Sequence, residues 1–182
     1  MEYTIIMETL KYTKIRQVKS PVRGTSVAAG IDFFVPTSID KETFENKCNT
    51  TNCNVYRECD DNGMITKIKL QPGESVMIPS GIKMKVPHGH ALVFMNKSSV
   101  GAKKQLDVLA CVIDEDYEGE VHINLVNSGK NTQYIEAGDK IVQGLILPIN
   151  YAMPEEIGTV EELYANSNSS RGEGGFGSTG TK

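Results

Sequence analysis

Carboxylates and one tyrosine are concentrated in residues 111 to 121, which read CVIDEDYEGEV. An apolar run ends at Ile113, a cluster of turn residues follows, and an alternating apolar run starts at Val121, a pattern that predicts a β-hairpin. Asp114 stands where the ingoing strand ends. An aspartate with an ordinary pKa near ~3.9 is ionised at neutral pH, so it can orient or deprotonate a water molecule. These properties make Asp114 a candidate general base.

Tyr117 offers a different kind of chemistry from the carboxylates around it. Its flat ring could lie against a sugar or a base, while its hydroxyl bonds a polar partner. The alternative is an ordinary acidic surface turn, because Asp and Gly favour turns for conformational reasons alone. The other polar motifs of the chain decide between these two interpretations.

Four further motifs accompany this stretch. They are AAGIDFF at residues 28 to 34, NKSSVG at 96 to 101, GDKIVQ at 138 to 143 and RGEGGFGSTG at 171 to 180. With residues 111 to 121 in third place, they resemble in type and order the five motifs of the trimeric dUTPases, enzymes that hydrolyse dUTP to dUMP and pyrophosphate. The resemblance covers about residues 10 to 36 and 66 to 182.

The resemblance implies roles for five residues of the central stretch. Asp114 would position the water that attacks the α-phosphorus. Backbone groups at the strand edge formed by Cys111, Val112 and Ile113 would bind uracil. Tyr117 would pack beneath the deoxyribose and disfavour a 2′-hydroxyl.

The resemblance also implies how the triphosphate would be bound. Ser98 would contact the oxygen that bridges the α- and β-phosphorus atoms, and Asp32 would lie near the metal-bound triphosphate through ordered water. Mg²⁺ would bind mainly through phosphate oxygens and water, as this ion prefers. Phe176 would cap the base. The remaining residues expected to bind the substrate are Lys97, Ser99, Gly101, Gln143, Arg171, Gly177, Ser178 and Thr179.

Two residues depart from the pattern of that family. Lys97, preceded by Asn96, stands where the family usually has arginine, and a lysine can neutralise a phosphate but cannot form the planar fork of an arginine. Cys111 stands where the family generally has glycine. We interpret Cys111 as a small buried hydrophobic residue, because no His–Cys arrangement that would make it a nucleophile is evident.

Short strands separated by regular turn signals predict an all-β barrel or sandwich, and the apolar residues 106 to 113 predict a buried strand. The resemblance implies a jelly-roll-like β-barrel of residues 1 to 166 that assembles as a homotrimer. Residues 167 to 182 are rich in Asn, Ser and Gly, a composition that predicts a flexible arm able to close over a bound nucleotide. Residues 155 to 164 fit either a short helix or an arm across a neighbouring subunit.

Residues 38 to 65 interrupt the barrel as an insertion that the family pattern lacks. The segment is polar and contains Cys48, Cys53 and Cys59. Structural zinc usually takes four ligands and often uses C-x-x-C pairs, which this spacing does not supply, so free thiols are favoured over a metal site. We expect residues 40 to 64 to be unnecessary for hydrolysis and to contact a protein partner, with a neutral surface loop as the alternative.

Composition excludes several classes of partner. The 182 residues suit one domain, and the net charge of -4 argues against a general affinity for nucleic acid, which is bound by basic surfaces. No apolar run approaches the ~18 residues of a membrane span, and the N-terminus does not have the pattern of a signal peptide. These features predict a cytoplasmic, intracellular protein whose cysteines are mostly thiols.

Two other functions remain as alternatives. A dCTP deaminase shares the fold implied by the resemblance, and a regulatory protein could keep a nucleotide pocket as a sensor and act through the insertion. The sequence VIDEDY at residues 112 to 117 favours a dUTPase over a deaminase.

Overall fold

The computed structural model describes residues 9 to 47 and 56 to 174, with the backbone alone for residues 45 to 47. The strands in these ranges are β1 (Lys11–Lys14), β2 (Val22–Arg23), β3 (Ile31–Phe34), β4 (Tyr56–Cys59), β5 (Ile65–Leu70), β6 (Ser75–Pro79), β7 (Ile82–Lys85), β8 (His90–Asn96), β9 (Leu106–Val108), β10 (Val112–Ile113), β11 (His122–Asn127), β12 (Gln133–Glu136) and β13 (Lys140–Pro148). The helices are α1 (Lys41–Lys47), α2 (Ser98–Lys104) and α3 (Val160–Leu163).

The described strands form four antiparallel sheets, with the strand orders β1-β7, β10-β8-β13-β3-β2, β6-β11-β9 and β12-β5-β4. The all-β prediction is confirmed. Within the described residues, however, the sheets do not join edge to edge into one closed barrel. Strand β13 is the longest, and it is paired with β3 on one side and with β8 on the other.

Strand β3 is buried along its whole length, whereas other strands bury alternate residues. In β11, Ile123 and Leu125 are buried while the alternate residues His122 and Asn124 are only half-buried, as the two-residue period of a strand requires. Phe33 of β3 and Phe94 of β8 meet edge to face, with ring centroids 5.0 Å apart. Edge-to-face packing is a favoured geometry for aromatic rings, and here it joins the strands that flank β13.

The apolar run from residue 106 to residue 113 is not one buried strand, so this prediction was wrong. Strand β9 pairs with β11, whereas β10 pairs with β8 in a different sheet. Leu109, between the two strands, is 53% exposed, and its backbone N–H donates to the carbonyl of Asn124. A continuous apolar run shows where strands form but does not show which strands they pair with.

The insertion packs on the core through its helix. Asp40 caps α1 by accepting hydrogen bonds from the backbone N–H and the hydroxyl of Thr43, both at 2.7 Å. The ring of Phe44 on the first turn is 3% exposed and belongs to the main hydrophobic cluster. Strand β4 then extends the sheet of β5 and β12. Cys59 on β4 is an exposed thiol, while Cys48 and Cys53 lie outside the described residues.

The chain divides into two compact units, residues 1 to 150 and 151 to 182. In the second unit, α3 is closed by a capping box in which Thr159 and Glu162 bond each other's backbone N–H groups. Residues 155 to 164 thus contain a short helix, one of the two expected alternatives. The expected domain boundary at residue 166 stays a prediction. None of the helices in the described ranges has the length and apolar character needed to cross a membrane.

We predict that Phe44→Ala lowers the free energy of unfolding by about 3–5 kcal/mol, because it removes a buried ring and leaves a cavity. The matched control is Tyr56→Ala in the same insertion, since Tyr56 is 60% exposed. The control should change stability by no more than about 0.5 kcal/mol. Urea unfolding of both variants at equal protein concentration measures the difference, and equal stabilities would show that the insertion does not contribute to the core.

Candidate active site

The acidic stretch is a loop between two sheets, not the predicted hairpin. Strand β10 pairs with β8, and β11 pairs with β6 and β9, so the ingoing and outgoing strands are not bonded to each other. We call residues 114 to 121 the acidic loop. The sequence pattern predicted its turn correctly, because the N–H of Tyr117 donates to the carbonyl of Asp114 at 3.3 Å. What the pattern could not show was that each strand finds other partners.

The carboxylate of Asp114 is exposed, but its backbone is held on both sides. Ile113 is 7% exposed and belongs to the core. On the other side, Glu115 accepts a hydrogen bond from the N–H of Gly89 at 2.5 Å and lies 3.1 Å from Nδ1 of His88. Asp114 therefore presents an accessible carboxylate from a fixed backbone position, as a general base requires.

The Tyr117 side chain folds back onto the end of the acidic loop, over Gly119. Its hydroxyl donates to the carbonyl of Glu120 at 2.9 Å, and a Cβ added at Gly119 would overlap the tyrosine ring. The ring remains 42% exposed. It borders a cavity of about 790 Å³ that Lys11, Lys85 and His88 also line. A cavity of this volume is large enough for a ligand of ordinary size.

A second group of predicted residues meets around Asp32, which is 4% exposed. Lys97 Nζ donates to Oδ1 of Asp32, and Lys140 Nζ lies by Oδ2, both at 2.8 Å. Burial alone would raise the pKa of Asp32, but the bonds from Lys140 and Lys97 outweigh it and hold the pKa below its ordinary value of 3.8. Asp32 is therefore ionised at neutral pH.

Lys140 reaches Asp32 because of a β-bulge. In the pairing of β13 with β3, Lys140 lies opposite Phe34 and Val142 opposite Phe33, so Ile141 is an extra residue. A regular strand would place residues three apart, such as Lys140 and Gln143, on opposite faces, whereas the bulge puts both on the face of Asp32. Sequence reasoning missed Lys140. The signal was present, since two adjacent apolar residues between polar ones break the alternation of a strand.

Gln143 lies beside this group, and its predicted role in binding the substrate stays a prediction. It is paired with Asp32 across the strands, and its Nε2 donates to the backbone carbonyl of Asn96 at 3.0 Å. A Cβ added at Gly30 would overlap the Gln143 side chain, so the glycine of the first motif makes room for it. The first, second and fourth motifs therefore meet in one place.

Ser98 and Ser99 begin α2, with both side chains exposed. Asn96, which was predicted only as a departure from the family pattern, connects this helix to β9. Its Nδ2 donates to Asp107 at 2.7 Å, and its Oδ1 accepts from the N–H of Val108 at 2.8 Å. The amide thus fixes the backbone immediately before the serines.

The other predicted residues are placed as follows. Gly101 lies within α2, where a Cβ would meet Asn96 at 3.7 Å, and Cys111 is partly buried against the core. Val112 is 62% exposed on β10. Arg171 belongs to the second unit and donates from Nε to the carbonyl of Gly174 at 2.5 Å. The predicted residues outside the described ranges are Phe176, Gly177, Ser178 and Thr179.

The described residues contain no group of three or more His, Cys, Asp or Glu side chains that could hold a metal ion. Each carboxylate oxygen of Asp32 is bonded to one lysine, and a carboxylate oxygen can accept a further hydrogen bond, for example from a metal-bound water. The site therefore fits a Mg²⁺ ion that takes its ligands from phosphate and water, as this ion commonly does.

Comparison with known proteins identifies the family, and the matched residues include every motif except the first, at residues 28 to 34. The family model described as dUTPase matches residues 61–180, more than half of the chain. The chain belongs to the dUTPase family. Among curated dUTPases, the deoxyuridine 5'-triphosphate nucleotidohydrolase of Gloeothece citriformis is 36% identical over 131 residues, which are 69% of this chain and 86% of the relative.

Solved dUTPase structures show the same fold. The Staphylococcus bacteriophage 80alpha dUTPase with dUPNHPP has a TM-score of 0.70 and 22% identity, covering 96% of this chain and 99% of that one. A variant dUTPase of phage phi11 of S. aureus, which coordinates a structural Mg(II) ion, has a TM-score of 0.62 and 20% identity and covers 85% of this chain and 99% of that one. The alternative of a dCTP deaminase finds no support in these matches to dUTPases.

We predict that the stabilising effect of Asp32 depends on pH. Because the folded-state pKa is below the unfolded value, the stabilisation is present above about pH 3.9 and is lost as the pH falls through the folded pKa. Asp32→Asn should therefore lower the free energy of unfolding more at pH 6 than at pH 3. The exposed turn residue Asp61 provides the control, since Asp61→Asn should have little effect at either pH. Urea unfolding at both pH values measures this, and an equal loss at the two would contradict it.

Proposed function

We propose that the chain hydrolyses dUTP to dUMP and pyrophosphate, with Asp114 orienting the water that attacks the α-phosphorus. As a member of the dUTPase family, the chain is a hydrolase that acts on a nucleoside triphosphate. The observation that carries the assignment of the base is the exposed Asp114 carboxylate, which stands between two fixed neighbours, Ile113 and Glu115. A fixed base lowers the barrier because little reorganisation is needed to reach the reactive geometry.

The nucleoside would bind at the beginning of the acidic loop. Strand β10 is the outermost strand of its sheet, so in the described chain its second edge is open and can offer Val112 and Ile113 backbone groups to uracil. The Cys111 carbonyl already accepts from the N–H of Phe94 at 2.7 Å, which holds the start of this strand. The half-exposed ring of Tyr117 would pack beneath the deoxyribose, and Phe176 would cap the base.

The triphosphate would bind beside Asp32. Lys97 and Lys140 supply positive charge there, and the exposed hydroxyls of Ser98 and Ser99 supply donors. Charge neutralisation and positioning are the main contributions that proteins make to phosphoryl transfer. Other groups proposed to contact the substrate are Gly101, Gln143, Arg171, Gly177, Ser178 and Thr179. Mg²⁺, when bound, would neutralise phosphate charge, with Asp32 reaching it through water.

A single chain keeps the proposed base away from the proposed triphosphate site. In the sheet order β10-β8-β13-β3, three spacings between strands separate Val112 from Asp32. Val112 is paired with Val93 of β8, whereas Asp32 is in line with Met95, two residues further along β8. Spacings of about 4.8 Å between strands and about 3.4 Å along them place the two Cα atoms roughly 16 Å apart. Asp114 continues in the direction away from Asp32. We therefore propose a homotrimer in which different subunits contribute these groups to one site.

Asp114→Asn should lower turnover by ~10²-fold or more and leave nucleotide affinity nearly unchanged, because an amide still forms hydrogen bonds but cannot act as a base. The matched control is Asp116→Asn, another exposed aspartate of the same loop, which should retain turnover. Pyrophosphate release from dUTP, dCTP, dTTP and UTP gives turnover and substrate preference, and binding of a non-hydrolysable dUTP analogue gives affinity. Unchanged turnover in Asp114→Asn would contradict the assignment of the base.

Chains that lack residues 168 to 182 should lose activity without loss of the folded sheets, because this polar segment contributes little to a core. If subunits share sites, mixing these chains with Asp114→Asn chains during refolding should restore part of the activity. Each parent refolded alone is the control. Mixed trimers whose activity never exceeds the sum of the two parents would count against shared sites.

A protein partner for residues 38 to 65 is a second proposal. Strand β4 lies at the edge of its sheet and exposes the Tyr56 ring, a type of residue common in protein interfaces. Pull-down with wild-type and Tyr56→Ala chains would test it. A protein that is captured by the wild type and not by Tyr56→Ala, and that an excess of free wild-type chain elutes, would support this surface. Capture of the same proteins by both chains would contradict it. The cytoplasmic location stays a prediction.

A further inference from the structure

Glu120, at the end of the acidic loop, has a buried carboxylate that sequence reasoning did not select. Its side chain is 4% exposed. Arg16 donates to it with both prongs of the guanidinium, Nε to Oε1 at 2.8 Å and Nη2 to Oε2 at 3.0 Å. The N–H of Gly81 donates to Oε1 at 2.9 Å. A buried carboxylate is costly unless it is paired and hydrogen-bonded, and here both conditions are met.

This carboxylate joins parts of the chain that are far apart in sequence. Arg16 follows β1, and Gly81 lies in the turn between β6 and β7. Gly81 has a φ of +73°, and a Cβ there would lie 3.0 Å from the Cβ of Arg16, so the close approach requires glycine. The end of the acidic loop is also bonded next to this turn, because the N–H of Val121 donates to the carbonyl of Ile82 at 2.9 Å. Glu120 is therefore fixed on a rigid frame.

The other end of Glu120 holds the tyrosine. Its backbone carbonyl accepts from the hydroxyl of Tyr117, whose ring lies over Gly119. Burial by itself would raise the pKa of Glu120, but the Arg16 and Gly81 bonds and the nearby His122 hold it below the ordinary value of 4.5. The ion pair therefore persists at neutral pH. Glu120 therefore links the two: its backbone carbonyl holds the Tyr117 hydroxyl, and its side chain is fixed by the salt bridge to Arg16.

We propose that Glu120 and Arg16 form a positioning pair that sets the Tyr117 ring and thereby the discrimination between a deoxyribose and a ribose substrate. The inference rests on the proposed function, in which this ring packs beneath the sugar. A Tyr117 ring held in place directly beneath the sugar leaves no room for the 2′-hydroxyl of a ribose. A ring that could shift away from the sugar would allow a ribose to bind. The pair touches no reacting atom and acts only through Tyr117.

The test compares kcat/KM for dUTP with kcat/KM for UTP in folded variants. Glu120→Gln keeps the size of the side chain but removes its charge, and Arg16→Lys keeps the charge but loses the fork. We expect the dUTP to UTP ratio to fall about tenfold in Glu120→Gln and less in Arg16→Lys. A double variant, Arg16→Gln with Glu120→Gln, should lose no more than Glu120→Gln alone, since residues that act as one unit are not additive.

Glu136→Gln is the control. It breaks an exposed ion pair with Lys67, 3.2 Å apart, on a different sheet, and it should leave the ratio unchanged. A purely stabilising role for Glu120 predicts lower thermal stability with the same ratio, and that result would overturn the proposal. If Glu120→Gln fails to fold, Tyr117→Phe decides, because it removes only the bond to the Glu120 carbonyl. An unchanged ratio in Tyr117→Phe would also overturn the proposal.

Hydrogen exchange separates this proposal from the proposed function. A peptide that spans residues 112 to 121 should exchange faster in Glu120→Gln than in the wild type, while peptides from β8 and β13 exchange as before. If the wild-type protein releases no pyrophosphate from dUTP, the proposed function is refuted, and the link between Glu120 and sugar discrimination is refuted with it. Faster loop exchange would still support the fixing of the loop by Glu120. An active wild type with an unchanged ratio in folded variants would refute only the positioning pair.

Discussion

The pairing of β13 with strands on both of its sides determines where the polar motifs meet. Its register places Gln143 beside Asp32 on one side and beside Met95 on the other, close to the Asn96 carbonyl that Gln143 bonds. If β13 slipped by one residue, the side chains of the strand would turn to the opposite face. The charged group around Asp32 therefore exists only in this register, which the buried apolar residues of the same strand enforce.

Part of this arrangement could be predicted from sequence, because the polar motifs resemble those of the dUTPase family in type and order. Asp32, Lys97 and Gln143 were selected in this way, and the structure brings them together. The sequence could not reveal that Arg16 pairs with Glu120, since 104 positions separate them and Arg16 belongs to none of the five motifs. The supposed hairpin failed for a related reason. Turn residues fix where a chain reverses, but the partners of each strand depend on the whole sheet.

The two buried carboxylates among the described residues of the first unit are neutralised by cations from distant parts of the chain. Asp32 has two lysines that a phosphate could attract away, whereas Glu120 has one arginine with its fork fully engaged. The choice of lysine beside Asp32 and arginine beside Glu120 suits the different roles proposed for the two sites. Lysine heads on flexible stems can follow a ligand, while a bidentate arginine holds a fixed geometry. The chain thus has an adaptable ion cluster at one position and a rigid one at another.

The insertion leaves and rejoins the rest of the chain at one point, because Asp40 and Met64 form a β-bridge. Residues between them can be gained or lost over evolutionary time without moving β3 or β5, since the entropic cost of a longer closed loop grows slowly with its length. The shortest insertion that keeps the core filled must still include Phe44, because its ring is buried in the main hydrophobic cluster. Related proteins could therefore differ widely in this segment, and acquire or lose partners through it, while the arrangement of the polar motifs stays the same.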